Sequence, residues 1–286
     1  MNDYVIFVDS ACDIAPEILD QWGVKYESLT FRFVDSNEEF YDTRYPAEEF
    51  YKQVLAGRMA KTAAVNTETF RASFEKILQE GLDLLYLGFS SGLSSTFDAG
   101  RMALKELQEE YPDRHMAAVD SLSASAGYGL LLYLTVQKKK EGASLEEAAR
   151  FAEDTRLHLC HWFTVDDLKY LRMGGRISSA TAIIGGMLNI KPVLHMDDEG
   201  HLISMTKVRG RKMSIKALAE KAAELASDSE SPVYISHGAC PEDALELKRL
   251  MEEKGRRVEL ITSVGPVIGS HSGPGTLALF FLGVHR

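Results

Sequence analysis

Residues 82–89 form a near-continuous apolar run that passes straight into Gly88-Phe89-Ser90-Ser91-Gly92-Leu93-Ser94-Ser95-Thr96. An apolar run of this length without polar alternation is typical of a parallel strand covered on both faces. Helical patterns flank it. Residues 67–80 place Phe70, Phe74 and Leu78 on one stripe behind a Thr67 cap, and residues 95–110 form the next helix. Upstream, Val5-Ile6-Phe7-Val8 reads as a buried strand and residues 14–22 as a short helix. Residues 25–34 read as a second strand, and 46–55 as an amphipathic helix with Phe50, Tyr51 and Leu55 on one side. Downstream come a strand at 116–119 and a long, strongly apolar helix at 125–140. Strand and helix alternate throughout, which argues for an α/β layer with a mostly parallel sheet.

A helix over residues 144–158 leads to a second unit. Strands are expected at 162–165, 191–196, 201–207, 233–236, 258–263 and 277–284, with helices at 167–171, 178–188, 212–227 and 241–254. Asp197-Asp198-Glu199-Gly200 is a turn between two strands, so part of this sheet is antiparallel. The length of 286 residues suits two domains. The expectation is an N-terminal α/β domain over 1–158 and a C-terminal α/β domain with a mixed sheet over 159–286.

The 32 Lys and Arg against 42 Asp and Glu leave a net charge of −10, which argues against wide nucleic-acid contact. Cys12, Cys160 and Cys240 are scattered, with no zinc spacing and no disulfide framework. The amino terminus lacks a signal-type stretch, and the apolar run near Tyr128 to Val136 is far short of the ~20 residues that span a bilayer. The chain reads as soluble, reduced and cytoplasmic.

Four segments carry candidate chemistry. Residues 88–96 follow a buried strand and open a helix, which is where ligands collect in open α/β sheets. Backbone N–H groups and a row of hydroxyls there suit an anion, although helix capping explains the same residues. Gly88-x-Ser90-x-Gly92 also has the spacing of a nucleophile elbow, so a serine hydrolase is the rival reading, with His271 the available base. The second segment, Val264 to Gly275, holds four glycines, two prolines and His271. Its glycines suggest close backbone approach to a ligand, and a neutral or charged His can donate to a carboxylate or phosphate. The third is Gly174-Gly175-Arg176, where Arg176 could reach a phosphate or an acidic partner, and a helix C-cap explains the glycines as well. The fourth is the basic group Lys207, Arg209, Arg211 and Lys212. Asp9, Asp13 and Asp120 end or follow strands, but no ligand His accompanies them and no metal is assigned.

Taken in order, these segments resemble the DegV family of bacterial lipid-binding proteins. The likeness runs through Val8-Asp9-Ser10-Ala11-Cys12-Asp13, Lys61-Thr62, Ser90 to Phe97, Asp120-Ser121, Leu171 to Ile177, Gly265 to Gly269 and His271 to Gly275. It implies a long-chain fatty acid held between two α/β domains, with no cofactor. It further implies the acyl-carrying subunit of a bacterial fatty acid kinase, which presents the carboxylate to a separate ATP-binding kinase subunit and carries the acyl phosphate, with transient membrane contact. Thr62, Ser94 and His271 would bind the carboxylate, and Arg176 and Arg209 would meet the kinase or the phosphate. The tail would run along the helix expected at 178–188, against Ile183, Ile184, Gly186, Met187 and Leu188. The family commonly has Ser-Gln-Pro where this chain has Ala63-Ala64-Val65, Gly where it has Ser95, and a basic residue where it has Met173. A third reading is a sensor or scaffold whose lipid is structural.

Overall fold

The computed structural model describes residues 3–178, 189–228 and 230–286. The first half runs β1 (Tyr4–Asp9), α1 (Pro16–Gln21), β2 (Lys25–Glu27), β3 (Thr30–Phe33), β4 (Phe40–Tyr41), α2 (Ala47–Leu55) and β5 (Ala60–Ala63). It continues with α3 (Thr67–Gln79), β6 (Asp83–Gly88), α4 (Thr96–Glu110), β7 (Met116–Asp120), α5 (Ser125–Lys140) and α6 (Leu145–Arg156). The second half runs β8 (Leu159–Thr164), α7 (Lys169–Met173), β9 (Ile190–Met196), β10 (Leu202–Arg209) and α8 (Arg211–Leu225). It ends with β11 (Val233–His237), α9 (Pro241–Glu253), β12 (Val258–Ser263), α10 (Pro266–Ser272) and β13 (Leu277–Leu282).

Two α/β domains result. The first is built on a fully parallel sheet in the order β2-β1-β6-β7. Every residue of β6 is buried, as the unbroken apolar run requires for a central strand. The second domain has a mixed sheet in the order β10-β9-β8-β13-β11-β12, in which β11 and β12 alone run parallel. Alternation along its strands separates two faces. Trp162, Ile235, Leu279 and Phe281 pack with Ile215, Leu218 and Leu247 of α8 and α9. Phe163, Met196, Ala278 and Phe280 face the first domain. There α5 lies across β8, β11 and β13, apolar almost all round because it is covered almost all round.

The structure corrects four local expectations. Residues 25–34 are two strands in different sheets, broken at Ser28-Leu29, where Leu29 N–H donates to Ser10 Oγ rather than to a ladder. β3 instead joins β4 and β5 in a small antiparallel sheet that alternation did not reveal. On α2 the buried stripe is Phe50, Tyr51 and Val54, and Leu55 is 68% exposed. The glycine- and proline-rich segment after β12 is no open loop: residues 266–272 are the helix α10, with Pro266 in its first turn. The helix expected at 178–188 lies outside the described residues, save Ser178. Among the described residues no helix is long and apolar enough to cross a membrane.

Candidate ligand cavity

A cavity of about 280 Å³ opens between the two domains. That is many times the ~10–15 Å³ that one water needs, so the space suits an organic ligand. Thr62 comes from β5, Ser94 from the loop before α4, Arg176 from just beyond α7 and His271 from α10; all four line it. These four are half-buried, whereas Phe89, Phe163, Met196, Val267, Ala278 and Phe280 on the same wall are buried. The cavity is therefore polar at its mouth and apolar within. Most of its inner polar groups are already paired, and the buried Ser272 hydroxyl has no partner among the described residues. Ser125 Oγ donates to Asp13 Oδ2 at 2.5 Å and lies 3.0 Å from Ser236 Oγ. His161 bonds through Nδ1 to the Leu159 carbonyl at 3.0 Å and accepts weakly from Ala124 N–H at 3.4 Å.

At the mouth, His271 Nε2 lies 2.8 Å from Thr62 Oγ1. Burial first, and the Arg176 charge second, push its pKa down to about 4, so the ring is neutral at pH 7. Its Nδ1 is buried and finds no partner among the described residues. Gly174 backs onto that side of the ring: a Cβ at Gly174 would come within 2.2 Å of Nδ1. The imidazole is thus clamped between Thr62 and the Gly174 backbone. Arg176 Nε donates to the Leu93 carbonyl at 3.1 Å, and Nη1 donates to the Gly174 carbonyl. No carboxylate among the described residues pairs with it, and burial lowers its pKa. The mouth carries one uncompensated cation, two hydroxyls and a neutral imidazole, which is a set that favours an anion.

The serine loop brings Ser94 and Ser95 to this mouth, and most of its backbone N–H groups are already engaged. Phe89 N–H goes to Asp9 Oδ2, Ser90 N–H to the Ser123 carbonyl and Ser91 N–H to Asp120 Oδ1. Gly92 N–H goes to Ser90 Oγ, while Leu93 and Ser94 N–H both reach the Ser90 carbonyl. Thr96 N–H is taken by Ser94 Oγ at 3.2 Å. The N–H groups of residues 89–94 and of Thr96 are thus taken, by Asp9, Asp120, Ser123 and the loop itself. The nucleophile elbow fails on geometry as well. Ser90 is fully buried and its Oγ donates to the Gly200 carbonyl at 2.9 Å, so no base addresses it.

The remaining expectations divide. Arg209 is exposed at the end of β10, away from the cavity wall. Its neighbour Arg211 is not a free cation, since Nε donates to Asp243 at 2.8 Å. Ile183, Ile184, Gly186, Met187 and Leu188 lie outside the described residues. Of the departures from the family pattern, Ala64 and Ser95 line the cavity, and Met173 is 64% exposed. Sequence reasoning considered Asp9 and Asp13 as metal ligands and as part of a family motif, and passed over Asp42. All three are buried and accept backbone N–H groups. Burial pushes Asp9 up to about 7 and Asp42 up to about 6, and burial with help from the Asp42 charge raises Asp13 well above the usual carboxylate range. Among the described residues no cluster of three His, Cys, Asp or Glu is placed to hold a metal ion.

The family model described as "Uncharacterised protein, DegV family" matches residues 3–283. A DegV domain-containing protein of Clostridium perfringens is 40% identical over 287 residues, spanning 99% of this chain and 98% of that protein. A DegV family protein from Thermus thermophilus, described by its fatty acid binding, superposes with a TM-score of 0.87 at 28% identity, covering 99% of this chain and all (100%) of the other. A Thermotoga maritima protein described as revealing fatty acid binding function gives a TM-score of 0.85 at 29% identity, with the same coverage of 99% and 100%.

Proposed function

The chain belongs to the DegV family, and from that premise we propose that it binds a long-chain fatty acid, with the carboxylate at Thr62, Ser94 and His271. The observation that carries this reading is the polarity of the cavity, polar and cationic at the mouth and largely apolar inside. Each buried methylene of a ligand contributes about 0.8 kcal/mol, so a long tail supplies the affinity. A carboxylate withdrawn from water needs donors. With its proton on Nε2, His271 donates to Thr62 Oγ1, which leaves the Thr62 hydroxyl proton for the ligand. Thr96 Oγ1, 2.9 Å from Ser94 Oγ, can release the Ser94 proton in the same way. Arg176 supplies the charge.

The finer reading follows the family resemblance. In it, the bound carboxylate is presented to a separate kinase subunit and phosphorylated to acyl phosphate in the cytoplasm. Brief membrane contact is then the route by which the fatty acid is collected. Hydroxyl donors support this, because Thr62 and Ser94 hold the carboxylate itself while Arg176, already bonded to the Leu93 and Gly174 carbonyls, adds charge at the mouth. Arg209, exposed outside the cavity, fits a partner contact. A lipid-bound scaffold is the competing role.

Extraction of the purified protein followed by mass spectrometry should recover long-chain fatty acid; recovery of none would end the proposal. Ser94→Ala should weaken stearate binding by about tenfold, the worth of one hydrogen bond to a charged group at ~1.5 kcal/mol. With a kinase subunit and ATP, acyl phosphate should form, and a scaffold would give none. Arg209→Ala should then leave lipid content unchanged while slowing phosphorylation. Loss of lipid with normal turnover per bound lipid would refute that role for Arg209.

A further inference from the structure

α10 is seven residues long and its N-cap, Gly265, offers no side chain to the first turn. The N–H groups there are received instead by carboxylates from the first domain. Val267 N–H donates to Asp42 Oδ1 at 2.8 Å, and Gly265 N–H donates to Asp13 Oδ1 at 3.0 Å. Asp42 is itself held in place. Ser10 Oγ donates to its Oδ2 at 2.8 Å, and Leu29 N–H fixes that Ser10 oxygen at 3.1 Å. In the middle of the helix, Gly269 lies flat against α2: a Cβ there would come within 2.6 Å of the Tyr51 hydroxyl and 3.0 Å of a Phe50 ring carbon. The last turn carries His271, whose ring meets Thr62.

Val267 and His271 are only four positions apart, roughly 6 Å along the axis at 1.5 Å per residue. A piece that short moves as a unit, so a shift at its first turn arrives at the imidazole. Asp42 is not on the cavity wall; it reaches the wall through α10 and, on its other side, through Leu29, whose carbonyl accepts the Asp42 N–H. We infer that Asp42 is a positioning residue for the mouth of the cavity: it seats α10 so that His271 meets Thr62. The inference rests on the carboxylate reading of that mouth for its functional consequence, but the seating itself is independent of it.

The test is imidazole nitrogen NMR on the delipidated protein, followed by stearate titration. Asp42→Ala should shift the His271 signals and leave those of His161 and His195, which stand on the sheet of the second domain, where they were. Its stearate Kd should rise by about tenfold, as displaced binding groups cost. Asp42→Asn keeps an acceptor for Val267 N–H and should restore both readouts. Asp83→Asn removes another buried carboxylate, one that accepts from His115 N–H instead, and should move neither. Where Asp42→Ala does not fold, Ser10→Ala, which frees the other Asp42 oxygen, should give the same shift at smaller size. Unchanged His271 signals in Asp42→Ala or Ser10→Ala overturn the inference. So does an equal shift of all three histidines, or of His271 in Asp83→Asn. If the wild-type protein binds no stearate, the carboxylate reading fails and the NMR result still decides the role of Asp42.

Discussion

Gly174→Ala should cost stearate binding about tenfold, for the sake of one methyl group. Gly174 has φ −73° and ψ −13°, a helical conformation that alanine adopts without strain. The damage is therefore steric and local. The new Cβ would stand 2.2 Å from His271 Nδ1, about 1 Å inside the closest tolerable contact. The ring cannot swing aside without leaving Thr62, 2.8 Å away on its other edge. Thr62 then loses its support, and the carboxylate loses the charge-assisted hydrogen bond that Thr62 donates, worth ~1.5 kcal/mol. The neighbouring glycine is the control. Gly175 has φ +70° with open space around it, so Gly175→Ala should lower stability by about 1–2 kcal/mol and leave affinity alone. A folded Gly174→Ala protein with wild-type affinity would remove His271 from the carboxylate site.

That glycine shows how far the sequence could be read. Gly174 and Gly175 look alike as a helix stop, and one does serve as the C-cap of α7. Only the fold reveals that the first also makes room for a histidine from 97 residues away. The parallel sheet was legible because β6 lacks any alternation, a pattern that burial on both faces forces. Residues 25–34 misled because the break at Leu29 depends on Ser10, a partner from a different strand end. α10 was hidden by its own glycines. Gly269 reads as a helix breaker, yet it is there because Tyr51 and Phe50 leave no space for a side chain. The trio Thr62, Ser94 and His271 came from resemblance to a family. No local pattern joins them, since the 2.8 Å contact between Thr62 and His271 spans 209 positions of sequence. Asp42 drew no attention because an isolated Asp after a two-residue strand carries no signal of what it will cap.

The depth of the cavity should be set by its wall in the second domain, and Ala278 is the place to change it. Ala278 lies in β13 on the face turned to the first domain, between Phe163 of β8 and Ser236 of β11 in the cross-strand register. Phe163 and Phe280 on that face make its small side chain a gap in the wall. Ala278→Leu adds three carbons into a space of about 280 Å³. A tail that reaches this part of the wall must give up about three methylenes of burial, ~2.4 kcal/mol or roughly 60-fold in Kd. A tail shorter by that length should bind as before. The expected result across a saturated series from laurate to stearate is thus a selective loss at the long end, with the optimum moved down by about three carbons. Thermal stability of the delipidated protein provides the second readout. In a filled core the same substitution would overpack and cost about 1–3 kcal/mol, whereas a wall facing an open cavity should tolerate it. A uniform loss across the series, or a protein destabilised before any lipid is added, would show that the tail does not pass Ala278.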